Sequence, residues 1–143
     1  MIEWVLKGFD ELSVHELYGV MRLRSEVFVV EQNCVYLDAD GYDDRAMHLL
    51  GTSNGALVAY ARIFEPGVKY PEGSIGRVIT SAAVRGTGAG QELMREAIAR
   101  MPAGPIRIGA QAYLERFYGS FGFVRVSEPY DEDGIAHIEM VRG

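Results

Sequence analysis

The chain is poor in the residues that build special architectures. Cys34 is its one cysteine among 143 residues, so no internal disulfide can form and no thiol pair can anchor a zinc knuckle. Five prolines, without any Pro/Gly/Ser-rich stretch, leave no linker. No apolar run approaches the roughly 20 residues that cross a bilayer, and Met1-Ile2-Glu3-Trp4 lacks the basic and apolar regions of a secretory signal. Basic charge is scarce too: 14 Lys and Arg stand against 20 Asp and Glu, a net charge of −6, and the cations are scattered, which argues against a nucleic-acid partner. These absences predict a cytoplasmic chain with no membrane contact and one domain over residues 1–143, its single core supplied by 48% apolar residues.

What is present is patterned. Ile2 to Leu6 reads as a short strand, and Ser13-Val14-His15-Glu16 has the spacing of a capping box that starts a helix. Leu17, Val20, Met21, Val27 and Phe28 follow near helical spacing, with Arg24 on the same stripe. An arginine there either packs its stem while its head snorkels or pairs with a carboxylate, or it faces a ligand. Gln32 to Arg45 is polar, with four aspartates around Gly41, and reads as a surface loop. A calcium loop would need a glutamate six residues after its glycine, where Met47 stands, so no metal is expected.

Asn54-Gly55, between Met47–Thr52 and Ala56–Phe64, predicts a hairpin, because both central residues of its turn need positive φ. Ser74 to Ser81 reads as a strand alternating Ile75, Arg77 and Ile79 against Gly76, Val78 and Thr80. Leu93, Met94, Ala97, Ile98 and Met101 share one helical face, ended by Pro102 and Gly104. A strand from Ile106 to Gln111 follows, then a second apolar stripe, Leu114, Phe117, Tyr118 and Phe121, closed by Gly122. Phe123–Ser127 and Ile135–Val141 complete the sheet of an α+β or mixed α/β fold, with parallel pairing in its second half.

Between a predicted strand and a predicted helix lies Arg85-Gly86-Thr87-Gly88-Ala89-Gly90. Small residues let the backbone approach an anion, and the free N–H groups of a helix start hold phosphate oxygens without a basic patch. Gln91-Glu92 follows where a nucleotide-binding P-loop needs Lys-Ser or Lys-Thr, and the turn sits too late for a dinucleotide fingerprint.

Arg85, Gly88 and Gly90 match the R/Q-x-x-G-x-G/A signature of the GCN5-related N-acetyltransferase (GNAT) superfamily, which the chain resembles. Phe117-Tyr118-Gly119-Ser120-Phe121-Gly122-Phe123 resembles the superfamily's F-Y-x-x-x-G-F segment, in the right order downstream. Leu23 to Gln32, Ala59 to Ile63, Gly76 to Ile79 and Glu132 to Ile135 look like the ElaA-like branch. The resemblance implies a mixed, mostly antiparallel sheet flanked by helices and splayed between its fourth and fifth strands, here Ser74–Ser81 and Ile106–Gln111. It implies acetyl-CoA as co-substrate, with the pantetheine arm on Val78, Ile79 and Thr80 and the pyrophosphate on the amides of Arg85, Gly86, Thr87, Gly88, Ala89 and Gly90. Gln111 stands where many members carry an asparagine that touches the cofactor, and Thr87 where many carry Lys or Arg.

For the chemistry, the resemblance implies that the Val78 N–H binds the thioester oxygen and that the Tyr118 hydroxyl protonates the leaving thiolate, although Tyr118 also fits a core position on its stripe. The general base stays open among Glu31, His48 and His137, which with Arg24 are the candidates for contact with the acceptor. The implied partner is a small-molecule or peptide amine, and a homodimer stays open. An acyltransferase with another donor, of the acyl-homoserine-lactone-synthase kind, and a non-catalytic coenzyme A-binding module are the alternatives.

Overall fold

Alternating polarity in the first half of the chain produces four strands that lie side by side. In the computed structural model, which describes residues 1–143, β1 (Glu3–Gly8), β2 (Met47–Ser53), β3 (Ala56–Phe64) and β4 (Gly73–Thr80) each run antiparallel to the next. Asn54 and Gly55 turn the hairpin between β2 and β3 at φ 51° and 79°. β5 (Ile106–Gln111) joins β4 in parallel, and β8 (Ile135–Arg142) pairs antiparallel with β5 on its other side. Two short strands, β6 (Val124–Arg125) and β7 (Tyr130–Glu132), also pair with β8. The expected strand from Phe123 to Ser127 thus shrinks to two residues. A hairpin that the sequence pattern did not predict, β7 to β8, turns at Asp133 and Gly134 with positive φ.

Alternation sends neighbouring residues to opposite faces. Leu49, Ala59, Ala61 and Ile63 pack with Ile106, Ile108 and Ala110 against Leu93, Met94 and Ala97 of α2 (Ala89–Ala99) and Tyr118 of α3 (Glu115–Gly119). Leu50 and Tyr60 face the other way, onto Val20 and Leu23 of α1 (Val14–Arg24). The capping box starts α1 as expected: the Glu16 N–H donates to Ser13 Oγ at 3.0 Å and the Ser13 N–H to Glu16 Oε1 at 2.9 Å. No helix is long and apolar enough to cross a membrane.

Two irregularities interrupt this regular pattern. The helical stripe beyond Arg24 continues as a π-helical stretch, Ser25–Glu31, a wider winding that often marks functional positions. In β4, Tyr60 pairs with Ile79 and Arg62 with Gly76, so Ala61 spans the interval that Arg77 and Val78 share. This is a β-bulge, with Arg77 at φ 50°. It breaks the expected alternation: Ile75 lies in the cluster under α2, whereas Ile79 lies in the cluster under α1.

Candidate active site

Parallel β4 and β5 share register at only two positions, Gly73 with Ile106 and Ser74 with Arg107. Beyond these the strands diverge, and a cleft of about 700 Å³ opens between them. Val78, Ile79 and Thr80 line one wall, Ile108, Gly109 and Gln111 the other, and the π-helical stretch with the β7–β8 turn closes over it. Divergence leaves the facing edge of β4 without a strand partner, so its backbone can bind an extended ligand as another strand would. The bulge at Arg77 and Val78 turns the local backbone out of the β3 ladder at the middle of this edge.

The glycine turn extends the cleft at its mouth. Arg85 lines the cleft, and Gly86 to Gly90 follow it in the chain. Gly88 caps α2 at φ 88°, in the left-handed region, and a β-carbon there would meet nothing within 4 Å. Glycine is needed here both for the conformation and for the open approach it leaves. The first helical bond runs from the Glu92 N–H to the Gly88 carbonyl at 3.1 Å, and no side chain caps α2. The amides of Ala89, Gly90 and Gln91 therefore project from a helix N-terminus with no helical acceptor.

Tyr118 enters the cleft from α3. Its ring is packed edge-on against Phe117 and Phe123, at 5.1 and 6.2 Å between centroids, and only 8% of the residue is exposed. Burial pushes the phenol up to about 12, so it keeps its proton at neutral pH. The stripe position and the cleft position are therefore both satisfied, the ring by the core and the edge of the side chain by the cleft.

Of the four candidates for acceptor contact, the structure brings two to the cleft and removes two. His137 lines it, 8% exposed, on β8 opposite Gln111. Its Nδ1 lies 2.8 Å from the Ile135 carbonyl and its Nε2 3.4 Å from Glu132, while Tyr130 stacks on the ring. With the proton on Nδ1 donated to the carbonyl, Nε2 is the nitrogen left to accept one. Glu31 lines the cleft at the mouth, in a two-armed ion pair with Arg85. That hydrogen bond holds its carboxyl below the usual carboxylate range.

Arg24 does not face a ligand. It is 0% exposed, with Nε donating to Asp38 at 2.8 Å and Nη1 to Asp43 at 2.7 Å. His48 is likewise removed from the cleft. It is 0% exposed, between the Tyr60 hydroxyl at 2.6 Å and the Asp43 carbonyl at 2.9 Å, and burial lowers its pKa so that it stays neutral. Both are held inside because the segment read as a surface loop folds inward: Asp38 and Asp43 are buried. Arg62 pairs with both oxygens of Asp40 at 2.8 Å and reaches Asp43 at 3.1 Å. Arg77 closes the set on Asp38 and Asp40. Burial alone would raise the Asp43 carboxyl, but Arg24 and Arg62 outweigh it and hold the group below its usual range.

Other cleft residues were given no role by the sequence. Gln32 meets Gln111 amide to amide, each donating to the other at 3.5 and 3.2 Å. Cys34 donates its S–H to the Asp133 carbonyl at 3.0 Å. Lys69, Glu132 and Asp133 also line the cleft; Glu132 and Asp133 lie in a segment that carries the family resemblance, which gave them no role, and Lys69 had no sequence signal at all.

The geometry agrees with what known proteins show. Residues 15–142 match the model of the acetyltransferase (GNAT) domain. Protein ElaA of Escherichia coli is 49% identical over 148 residues, covering 99% of this chain and 97% of its own, and a UPF0039 protein of Synechocystis is 46% identical over 145 residues, covering 98% and 94%. The crystal structure of ElaA superposes with a TM-score of 0.91 and that of an acyl-CoA N-acyltransferase from Pseudomonas aeruginosa, 41% identical, with 0.95, each over 100% of both chains. With its diverging β4 and β5, its glycine turn and these relatives, the chain belongs to the GNAT acetyltransferase family, in the branch that ElaA represents.

Proposed function

We propose that this protein transfers an acetyl group from acetyl-CoA to a primary amine by direct attack within a ternary complex. Acyl transfer from an acyl-CoA is the family's chemistry; the acetyl donor, the amine and the residue roles are our reading. The observation that carries it is the path from Arg85, three residues before Gly88 at the uncapped start of α2, along the free edge of β4, to Tyr118. That path suits a pyrophosphate, an extended pantetheine arm and a thioester in the order in which coenzyme A presents them. The Arg85 side chain and the amides of Gly86, Gly88, Ala89 and Gly90 receive the pyrophosphate, while the Arg85 and Thr87 amides, expected to join them, donate to the Ala82 and Val84 carbonyls; Val78, Ile79, Thr80 and Gln111 receive the arm.

In the step itself the amine nitrogen bonds to the thioester carbonyl carbon and the oxygen gains charge, which the Val78 N–H at the bulge stabilises. As the intermediate collapses, the C–S bond breaks and the thiolate takes the Tyr118 proton. The proton lost by the amine passes to His137, directly or through water, with Nε2 as acceptor. Glu31, already paired with Arg85, is the poorer base. A non-catalytic coenzyme A module would have no use for a protonated phenol at the reacting end of the cleft.

The test is paired. Millimolar acetyl-CoA is expected to raise the melting temperature by several degrees, as a ligand of roughly micromolar affinity must by mass action. A panel of primary amines is then expected to release free thiol from acetyl-CoA faster than buffer alone. An unchanged melting temperature, or acetyl-CoA binding with no amine-dependent thiol release, would refute the proposal.

A further inference from the structure

On the β3–β4 side, at the opposite end of β4 from the glycine turn, the cleft holds one cation that no carboxylate contacts directly. Three arginines and three aspartates, Arg24, Arg62 and Arg77 with Asp38, Asp40 and Asp43, form a closed set of ion pairs in its wall. At the mouth Arg85 is matched by Glu31. Lys69, on the β3–β4 connection, lines the same cleft and forms no ion pair. Although the residue is exposed overall, its ammonium leans over two rings, 5.3 Å from the centroid of Tyr42 and 5.8 Å from that of Phe64. Desolvation there, followed by the charges of Arg62 and Arg77, lowers its pKa, and the attraction of the more distant Asp40 and Glu132 carboxylates does not make this up. Both oxygens of Asp40, the nearest acid of the set, are committed to Arg62.

The β7–β8 turn contributes the opposite sign. Glu132 lines the cleft with its carboxylate beside His137 and makes no ion pair with a lysine or arginine. An amine arrives at neutral pH as an ammonium ion, and a carboxylate next to the base is where such an ion is best received before it loses its proton. The acceptor end thus offers one cation without a direct counter-ion and one carboxylate whose direct contact is an imidazole.

Building on the acyltransferase reading, we infer that the acceptor is a zwitterion, a primary amine that carries a carboxylate, with the carboxylate bound by Lys69 and the amine directed to Glu132 and His137. A charge-assisted bond to Lys69 supplies the missing counter-ion, and the buried network keeps the surrounding arginines from competing for it. A plain alkylamine would leave Lys69 as it is and lose that contact.

The experiment compares matched pairs at saturating acetyl-CoA: glycine with ethylamine, β-alanine with propylamine and γ-aminobutyrate with butylamine. In at least one pair the carboxylate-bearing amine is expected to show kcat/KM higher by about tenfold or more, through KM. Lys69→Met should bring that ratio towards one, Lys69→Arg should keep most of it, and Lys69→Glu should turn the preference towards putrescine. Ratios near one in every pair, a preference that survives Lys69→Met, or no turnover of any carboxylate-bearing amine while acetyl-CoA still raises the melting temperature would overturn the inference. Failure of acetyl-CoA to bind would instead overturn the reading on which it rests.

Discussion

The two ends of the cleft are made of different material. The end at the glycine turn is built from backbone: the uncapped amides of α2, the left-handed Gly88 and the unpaired edge of β4, with nearly all of it between Val78 and Gly90. The opposite end is built from side chains that come from the π-helical stretch, the segment after it, the β3–β4 connection and the β7–β8 turn. One wall of that end is secured by a buried network of arginines and aspartates. A backbone site tolerates changes of side chain but not of backbone conformation, whereas a side-chain site fails when its supports are removed. Single substitutions can strike one material and spare the other.

The largest effect is expected at the turn. Gly88→Asp places a carboxylate where the proposed function brings the phosphate, on a residue held at φ 88°. Aspartate and asparagine visit the left-handed region more readily than other side chains, so both variants should fold. Calorimetry should find acetyl-CoA binding lost in Gly88→Asp and only weakened in Gly88→Asn. Equal, near-normal binding by both would place the anion site elsewhere.

Next comes the network. Arg24→Met leaves Asp38 and Asp43 short of a buried partner, and breaking such a pair costs about 3 kcal/mol or more. Urea unfolding should show that loss. Asp43 has a folded pKa below its unfolded one, so its contribution is present above the unfolded carboxylate range and disappears as pH falls through the folded value. The wild type should accordingly lose stability on acidification below roughly pH 4, and Arg24→Met should show a shallower acid limb. Identical acid limbs in the two proteins would mean that Asp43 gains nothing from Arg24.

Tyr118→Phe acts on a side chain that meets the backbone-built path where it reaches the reacting end. It keeps the ring contacts with Phe117 and Phe123 and removes only the hydroxyl. Turnover should fall by roughly 10²-fold, with acetyl-CoA affinity nearly unchanged. Wild-type turnover in the folded variant would return Tyr118 to the core.

The same difference in material explains how far the sequence alone could be read. Arg85 to Gly90, the Asn54-Gly55 hairpin and the Ser13 capping box are local devices, and each is legible in a few consecutive residues. The place of Tyr118 was legible through its segment, although not whether its ring or its hydroxyl mattered. Asp38 and Asp43 were not legible, because their burial depends on Arg24, Arg62 and Arg77, which are 14 to 39 residues away. The bulge at Arg77 left no mark either, since the apparent alternation of Ile75 and Ile79 is the pattern of an unbroken strand. Lys69 and Gln32 acquire a place only when distant segments meet over the cleft.

The smallest effect is expected where the two materials touch, at the pair between Glu31 and Arg85. Both side chains are well exposed, 45% and 40%, so the ion pair is largely screened and adds little to folding. It does occupy the guanidinium, whose Nη2 also donates to the Thr80 carbonyl at 3.2 Å. Coenzyme A brings a competing anion to that place. Glu31→Gln keeps the shape of the residue, withdraws the competing charge and frees Arg85 for the pyrophosphate. The melting temperature of the free protein should therefore scarcely move, while acetyl-CoA should bind more tightly, by no more than roughly fivefold, the scale of a surface ion pair. The gain should shrink as salt is raised. Weaker binding in Glu31→Gln would mean that the pair holds the mouth of the cleft in its binding shape, and that the backbone-built end depends on a side-chain support after all.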